Sequence, residues 1–273
     1  MKISTRILAL LLLPLAGVSQ AAVILDQDFE SFSAGDVAGQ GNWTFTDVAV
    51  DSNDSNHVIE TSGGLSYSSG SVNHSGGSNF LRTDGPGEDF ASVTFASQDA
   101  DAIYLSFLAE NVGDRFHTLG LSDSVPTSTT GFPMGGSQFN GANAWARIGS
   151  DVFGSSDDRQ GTLEHNGDLV LYVGKLFKST PGPTENYDSF SYLLNPTTLT
   201  EPTSWHATAV SDTGFASVDT LLLRGAAESS TDFKMDMIRV GDTYDAVVVP
   251  EPGNFALISA LFLGAVAVAR RRR

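Results

Sequence analysis

Cysteine is absent from the 273-residue chain. That excludes a disulfide scaffold, a thiolate metal site, a cysteine nucleophile and an acylated lipoprotein cysteine. Positive charge is scarce: 15 Lys and Arg stand against 32 Asp and Glu, for a formal net charge of −17. Such a chain offers no basic footprint to the phosphates of a nucleic acid. Catalytic signatures are missing as well. There is no Gly-x-Ser-x-Gly elbow, and His57, His74, His117, His165 and His206 lack the spacing of a His-Glu-x-x-His metal site. A retaining β-sandwich glycosidase places carboxylates at alternate positions of one strand. Asp26, Asp28 and Glu30 come nearest to that pattern, and they lie at the start of the body. The expectation is a protein that is not an enzyme.

Hydrophobic residues make up 41% of the chain, enough for a sizeable core. The two ends read as addresses. Lys2 and Arg6 precede the apolar run Ile7–Leu13, and Ser19-Gln20-Ala21 places small residues where a signal peptidase reads them. Residues 1–21 are therefore expected to be a helical signal peptide cleaved after Ala21. At the other end, Val247-Val248-Val249-Pro250-Glu251-Pro252 leads into an apolar run from Phe255 to Ala269, closed by Arg270, Arg271, Arg272 and Arg273. As a helix this run spans about 22 Å, short of the about 30 Å of a bilayer core. With Asn254 it forms an expected transmembrane helix over 254–269. The four arginines act as a membrane stop that stays in the cytoplasm, which leaves the preceding body on the far side. Pro250 and Pro252 keep the approach to the membrane extended.

Pro250, Glu251 and Pro252, followed directly by the short apolar helix and the arginine cluster, resemble the PEP-CTERM sorting signal of exopolysaccharide-producing Gram-negative bacteria. The resemblance covers about the last 25 residues. It implies recognition by an exosortase, a membrane cysteine peptidase, with cleavage near the motif. The protein would be held transiently in the inner membrane and then delivered to the cell surface or extracellular matrix. The alternative is a permanent tail anchor. The expected division is a signal peptide at 1–21, a body at 22–246 and a sorting signal at 247–273.

Without its two ends the chain carries 9 basic and 31 acidic residues, a surface that repels anionic polymers. The body is dominated by period-two stretches rich in Val, Thr and aromatics, including Trp43–Thr46, Phe90–Phe95, Ile103–Leu108, Ala144–Ile148, Leu169–Val173 and Phe233–Val240. No long helical stripe interrupts them. The expected fold is all-β, an antiparallel sandwich of two sheets and twelve or more strands. Residues 61–78 hold seven serines and five glycines and are expected to form a loop that buries little, with one edge strand. Residues 122–141 and 178–186 read as further loops.

Asp28-Phe29-Glu30, Asn195-Pro196 and Phe233–Gly241 resemble the concanavalin A-like, laminin G-type jelly roll, which implies two curved sheets with the terminal strands side by side. The resemblance also implies a structural calcium at Asp28, Glu30 and Asp236. Acidic clusters at Asp51–Asp54, Asp84–Asp89 and Asp157-Asp158 are further oxygen donors suited to calcium, although Asp in turns is common without any ion. For a glycan, the aromatic supply is Trp43, Trp145 and Trp205 with Tyr67, Tyr172 and Tyr187. Trp145 follows a glycine-rich loop and is the best candidate for an exposed platform, its alternative being core packing. The resulting expectation is an exported structural or adhesive protein associated with exopolysaccharide. A carbohydrate-binding module is the alternative, and a divergent polysaccharide-degrading enzyme a more distant one.

Overall fold

The computed structural model describes residues 22–47, 57–83, 88–111, 116–125, 133–137, 143–148, 159–164, 168–226 and 233–249. The signal segment with Ala21, the motif Pro250-Glu251-Pro252, the apolar run 254–269 and Arg270–Arg273 lie outside them, as do the clusters 51–54 and 157–158. Among the described residues no helix is long and apolar enough to cross a membrane.

The body is an all-β sandwich. In chain order the strands are β1 (Val23–Gln27), β2 (Gly35–Asp36), β3 (Trp43–Asp47), β4 (His57–Glu60), β5 (Ser66–Ser69), β6 (Val72–Ser75), β7 (Phe80–Thr83), β8 (Glu88–Gln98) and β9 (Ala102–Asn111). There follow β10 (Phe116–Ser122), β11 (Met134–Ser137), β12 (Asn143–Arg147), β13 (Arg159–Glu164), β14 (Leu169–Phe177), β15 (Ser189–Leu194), β16 (Ala207–Val210), β17 (Val218–Ala226) and β18 (Phe233–Gly241), and then helix α1 (Tyr244–Val248). One sheet has nine strands in the order β16-β15-β14-β9-β18-β7-β4-β2, with β1 also on β18; the other has seven, β13-β12-β11-β10-β17-β8-β3. Every described pairing is antiparallel. The first and last strands are neighbours, with Val23 opposite Gly241 and Gln27 opposite Ile238.

The main core lies between the sheets, where Ile103, Leu105 and Phe107 of β9 and Val170, Tyr172 and Leu176 of β14 meet Leu119, Leu121, Leu221 and Leu223 of the smaller sheet. Each such side chain contributes about 1.5–3 kcal/mol on burial. An aromatic stack ties the layers: Tyr172 lies parallel to Phe107 at 4.9 Å and to Tyr192 at 5.5 Å. Their hydroxyls cross to β12, Tyr172 donating to the Trp145 carbonyl at 2.7 Å and Tyr192 to the Ala144 carbonyl at 3.1 Å. Gly135 makes this reach possible, because a Cβ there would overlap the Tyr172 hydroxyl.

A second core covers the outer face of the larger sheet. Tyr104 and Leu108 of β9, Leu171 and Val173 of β14 and Met237 of β18 pack under Leu65, Tyr67, Val72, Tyr244, Val247 and Val248. Strands β9 and β14 are thus buried on both faces and read as continuous apolar runs. Two expectations are corrected here. Residues 61–78 form the β5–β6 hairpin and bury Leu65, Tyr67, Val72 and His74; serine-rich composition hid the alternate apolar positions that seal the outer face. The 246/247 boundary falls inside α1, whose Val247 and Val248 are fully buried. The packed body therefore runs through Val249.

Candidate functional site

The structure brings Asp28, Glu30 and Asp236 to one neighbourhood. Two backbone irregularities do this: Phe29 has φ 59° between the first two, and Met237 has φ 51° at a bulge in β18 that turns Asp236 to the outer face. A Cβ at Gly76 would overlap the Asp236 carboxylate, and one at Gly77 would overlap Glu30. The carboxylates receive backbone donors. Leu65 N–H donates to Asp236 Oδ2 at 2.9 Å and Met237 N–H to Oδ1 at 2.7 Å. Ser78 and Asn79 N–H donate to Glu30 Oε1 at 2.6 and 2.7 Å, and Glu30 N–H donates to Asp28 Oδ1 at 3.1 Å. Burial, with smaller contributions from the charges of Glu30 and Asp28, raises the Asp236 pKa to about 7. Among the described residues no three His, Asp or Glu side chains are arranged to hold a metal ion. The trio is close but does not fit the calcium that the resemblance implied. It is a carboxylate cradle filled by the chain's own amides.

Trp145 is likewise corrected as an open platform. Its neighbours Ala144 and Ala146 point into the main core, so alternation turns Trp145 to the outer face of the smaller sheet. There it is opposite Gly136 and has no exposed surface. A large ring in a strand centre needs cover on whichever face it takes, and the flanking glycines do not signal exposure. Trp43 is buried, while Trp205 is half-buried against the second core.

An open cavity of about 550 Å³ lies on the outer side of the larger sheet. Three segments build it: the start of β9, the stretch between β15 and β16, and the turn from β18 into α1. Tyr104 and Tyr244 meet edge to face at 6.3 Å, and Trp205 abuts Tyr244 at the same distance. Asp101, Glu201, Asp242 and Asp245 supply carboxylates. Glu201 is held on both oxygens: Lys175 Nζ lies 2.6 Å from Oε1, and Tyr104 donates to Oε2 at 2.9 Å. Asp101 Oδ1 accepts from Gly182 N–H at 2.9 Å. Asp245 is exposed. The Tyr244 hydroxyl is buried and has no hydrogen-bond partner among the described residues, and burial followed by the charge of Glu201 raises its pKa to about 12. Sequence reasoning missed this group, because Tyr104 reads as one more strand residue and Tyr244-Asp245 as part of the body with no motif around them.

The same corner gathers the two ends of the body. Ala22 N–H donates to Asp242 Oδ1 at 2.9 Å, and Asp242 N–H returns to the Ala22 carbonyl at 3.3 Å. Thr243 caps α1 by accepting from Ala246 N–H. Ser106 Oγ donates to the Val247 carbonyl at 2.7 Å, and Arg239 Nη1 donates to the Val249 carbonyl at 2.6 Å. The last described residue is therefore pinned to the sheet.

No family model matches the chain, and no curated protein sequence matches it. Among solved structures it is similar to the globular domain of Trypanosoma cruzi calreticulin, at 14% identity over 92% of this chain and 100% of that one, with a TM-score of 0.49. It is also similar to an immunostimulatory antigen and pseudo β-1,3-glucanase of Mycobacterium tuberculosis, at 12% identity over 81% and 99% with a TM-score of 0.46. A third is the exoplasmic/lumenal domain of VIP36 in a form bound to Ca²⁺ and Man3GlcNAc, at 8% identity over 75% and 86% with a TM-score of 0.40.

Proposed function

We propose that this chain is an exported, non-enzymatic β-sandwich protein, sorted by an exosortase after signal peptidase has removed its leader. Its role is structural or adhesive, at the cell surface or in the extracellular matrix beside exopolysaccharide. One observation carries the reading: the two ends that the sequence marks as addresses leave the body at a single corner. Ala22, the first residue after the expected signal cleavage, is bonded to Asp242, and Val249, the residue before Pro250, is bonded to Arg239. A sandwich whose own chain runs from Ala22 to Val249 has its core composed of residues between those two points, so removal of what the sequence marks as leader and tail would leave these core residues in place. The non-enzymatic part of the reading is supported by the cradle, where the grouped carboxylates are engaged by backbone amides.

Replacing Pro250, Glu251 and Pro252 together by alanine tests the sorting step. Full-length precursor is expected to accumulate in the inner membrane, detected by fractionation and mass spectrometry. Unchanged release of a shortened product overturns the reading. The carbohydrate-binding alternative is favoured by a separate observation, the aromatic and acidic cavity.

A further inference from the structure

We propose that α1 is a proton-released latch: a proton on His74 beneath it frees α1 and Val249 from the larger sheet while the sandwich stays folded. The latch is argued from packing and charge. Only its use, as slack between body and membrane, rests on the sorting reading.

His74 lies on β6 opposite Tyr67 and is 1% exposed. Neither ring nitrogen has a hydrogen-bond partner among the described residues. A buried charge without a partner is costly, so the site holds the neutral ring. The Val248 backbone of α1 stands beside the ring and favours the protonated form, without making a hydrogen bond to either nitrogen. Arg239 opposes that form. Its guanidinium is also buried, with Nε 3.2 Å from Asp26 Oδ1 and Nη1 donating to the Val249 carbonyl at 2.6 Å. Burial first, then Arg239, lower the His74 pKa to about 4, against the weaker pulls of Val248 and Asp26. The other titratable neighbours add little charge between pH 4 and 6.5. Tyr67 on β5 and Tyr244 on α1 have raised pKa values, Asp236 on β18 is raised to about 7, and Asp245 of α1 is exposed.

Two segments cover this face, and they are fastened unequally. The β5–β6 hairpin is held by Leu65 N–H on Asp236, the Tyr67 hydroxyl on the Pro196 carbonyl and Ser71 N–H on the Thr197 carbonyl. Helix α1 is a short turn of five residues, tied to the sheet through Ser106 on Val247 and Arg239 on Val249. A protonated His74 would set a second cation beside Arg239, the group that holds Val249, with Asp26 as their shared counter-charge. Lifting α1 hydrates the imidazole and relieves that repulsion. Asp236 stays covered by Leu65 and Gly76, so its opposite pH dependence does not enter this local step. A group whose pKa is lowered from 6.5 to about 4 on closing loses its stabilising effect as pH falls through that window. The opening constant therefore rises about tenfold per pH unit, about 300-fold in all. On the sorting reading, release lengthens the chain between the sandwich and Pro250.

The test is hydrogen exchange of the purified full-length chain between pH 7 and pH 4, with protection corrected for the intrinsic pH dependence of exchange. The Val249 amide, which donates to the Asp245 carbonyl, is expected to lose protection about tenfold per unit below pH 6.5. Amides of β9 and β17 are expected to stay protected over the same range. His74→Gln is expected to abolish the slope at Val249. Ser106→Ala removes the hydroxyl that fastens Val247. It is expected to lower protection of Val249 about fivefold at every pH and to leave the slope intact, which keeps the test open should the His74 variant fail to fold. Protection of Val249 that is flat with pH, that falls in step with β9 and β17, or that keeps its slope in a folded His74→Gln overturns the proposal. So does a Ser106→Ala chain that leaves Val249 protection unchanged. None of these results bears on export, which is scored by fractionation alone.

Discussion

Two groups of carboxylates sit on the same outer side of the larger sheet and behave oppositely. In the cradle, Asp236 and Glu30 are met by N–H groups from Leu65, Met237, Ser78 and Asn79. The segment 61–78 supplies two of these donors, Leu65 and Ser78, and Asp236 is fully buried. In the cavity, Asp101, Asp242 and Asp245 border open space, and each has acceptor capacity that no described residue uses. The difference teaches that acidic content does not by itself mark a cation site. What decides is whether the chain's own donors reach the oxygens first. The glycines at 64, 76 and 77 bring backbone against the cradle, and the cavity wall has no such close approach.

The largest effect should come from emptying the cradle. Asp236→Ala leaves the Leu65 and Met237 amides without their acceptor in a buried setting, and a loss of about 3 kcal/mol is expected in urea denaturation. Asp236→Asn retains a carbonyl acceptor and should cost clearly less. If the two variants are equally stable to wild type, the cradle is no more structural than the cavity rim.

A pH profile sharpens the contrast further. The folded Asp236 pKa is raised from 3.8 to about 7, so the native state holds more protons than the unfolded chain across that window. Its stabilising contribution is full below pH 4 and falls as pH rises towards 7, on the order of 4 kcal/mol over the whole interval. His74 works the other way. Burial first, then the nearby Arg239 guanidinium, lowers its pKa from 6.5 to about 4. Stability linked to His74 is present above pH 6.5 and is lost as pH falls to 4, on the order of 3 kcal/mol. The two slopes oppose between pH 4 and 6.5, leaving a shallow profile there and a decline from 6.5 to 7. Thermal denaturation of His74→Gln should unmask the Asp236 slope across the full window; a profile still shallow would contradict the assignment.

The smallest effect belongs to the cavity rim. If the proposed leader is removed after Ala21, the Ala22 nitrogen would become an ammonium and its hydrogen bond to Asp242 an ion pair at the surface. Asp242→Asn is expected to cost about 0.5 kcal/mol in urea denaturation. A change as large as that of Asp236→Ala would erase the distinction between the two groups.

Much of the fold was legible because strand patterning is local. Alternation in Phe90–Phe95 and Ala144–Ile148 placed β8 and β12, and the Phe233–Gly241 stretch placed β18 next to the first strand. The second core was not legible: Leu169–Val173 reads with the alternating strands, although it is apolar at every position, as a strand covered on both faces must be. Its cover was hidden as well, since Tyr67, Val72 and His74 sit among serines and glycines. The cavity could not be read at all. It assembles Tyr104, Glu201 and Tyr244, which lie 97 and 43 residues apart, and only the fold brings them together. Trp145 failed for a related reason: strand alternation tells which side a ring takes but not whether that side is open.

The position of β18 has a mechanical consequence. It lies inside the larger sheet, with β9 along one edge and β7 and β1 along the other. A tether fastened behind α1 hands any tension to this interior strand rather than to a rim. Pulling along it loads both rows of interstrand bonds in shear, so they must give way together instead of unzipping singly. Under the proposed attachment through its tail, such a body would bear drag from a viscous surrounding polymer without coming apart.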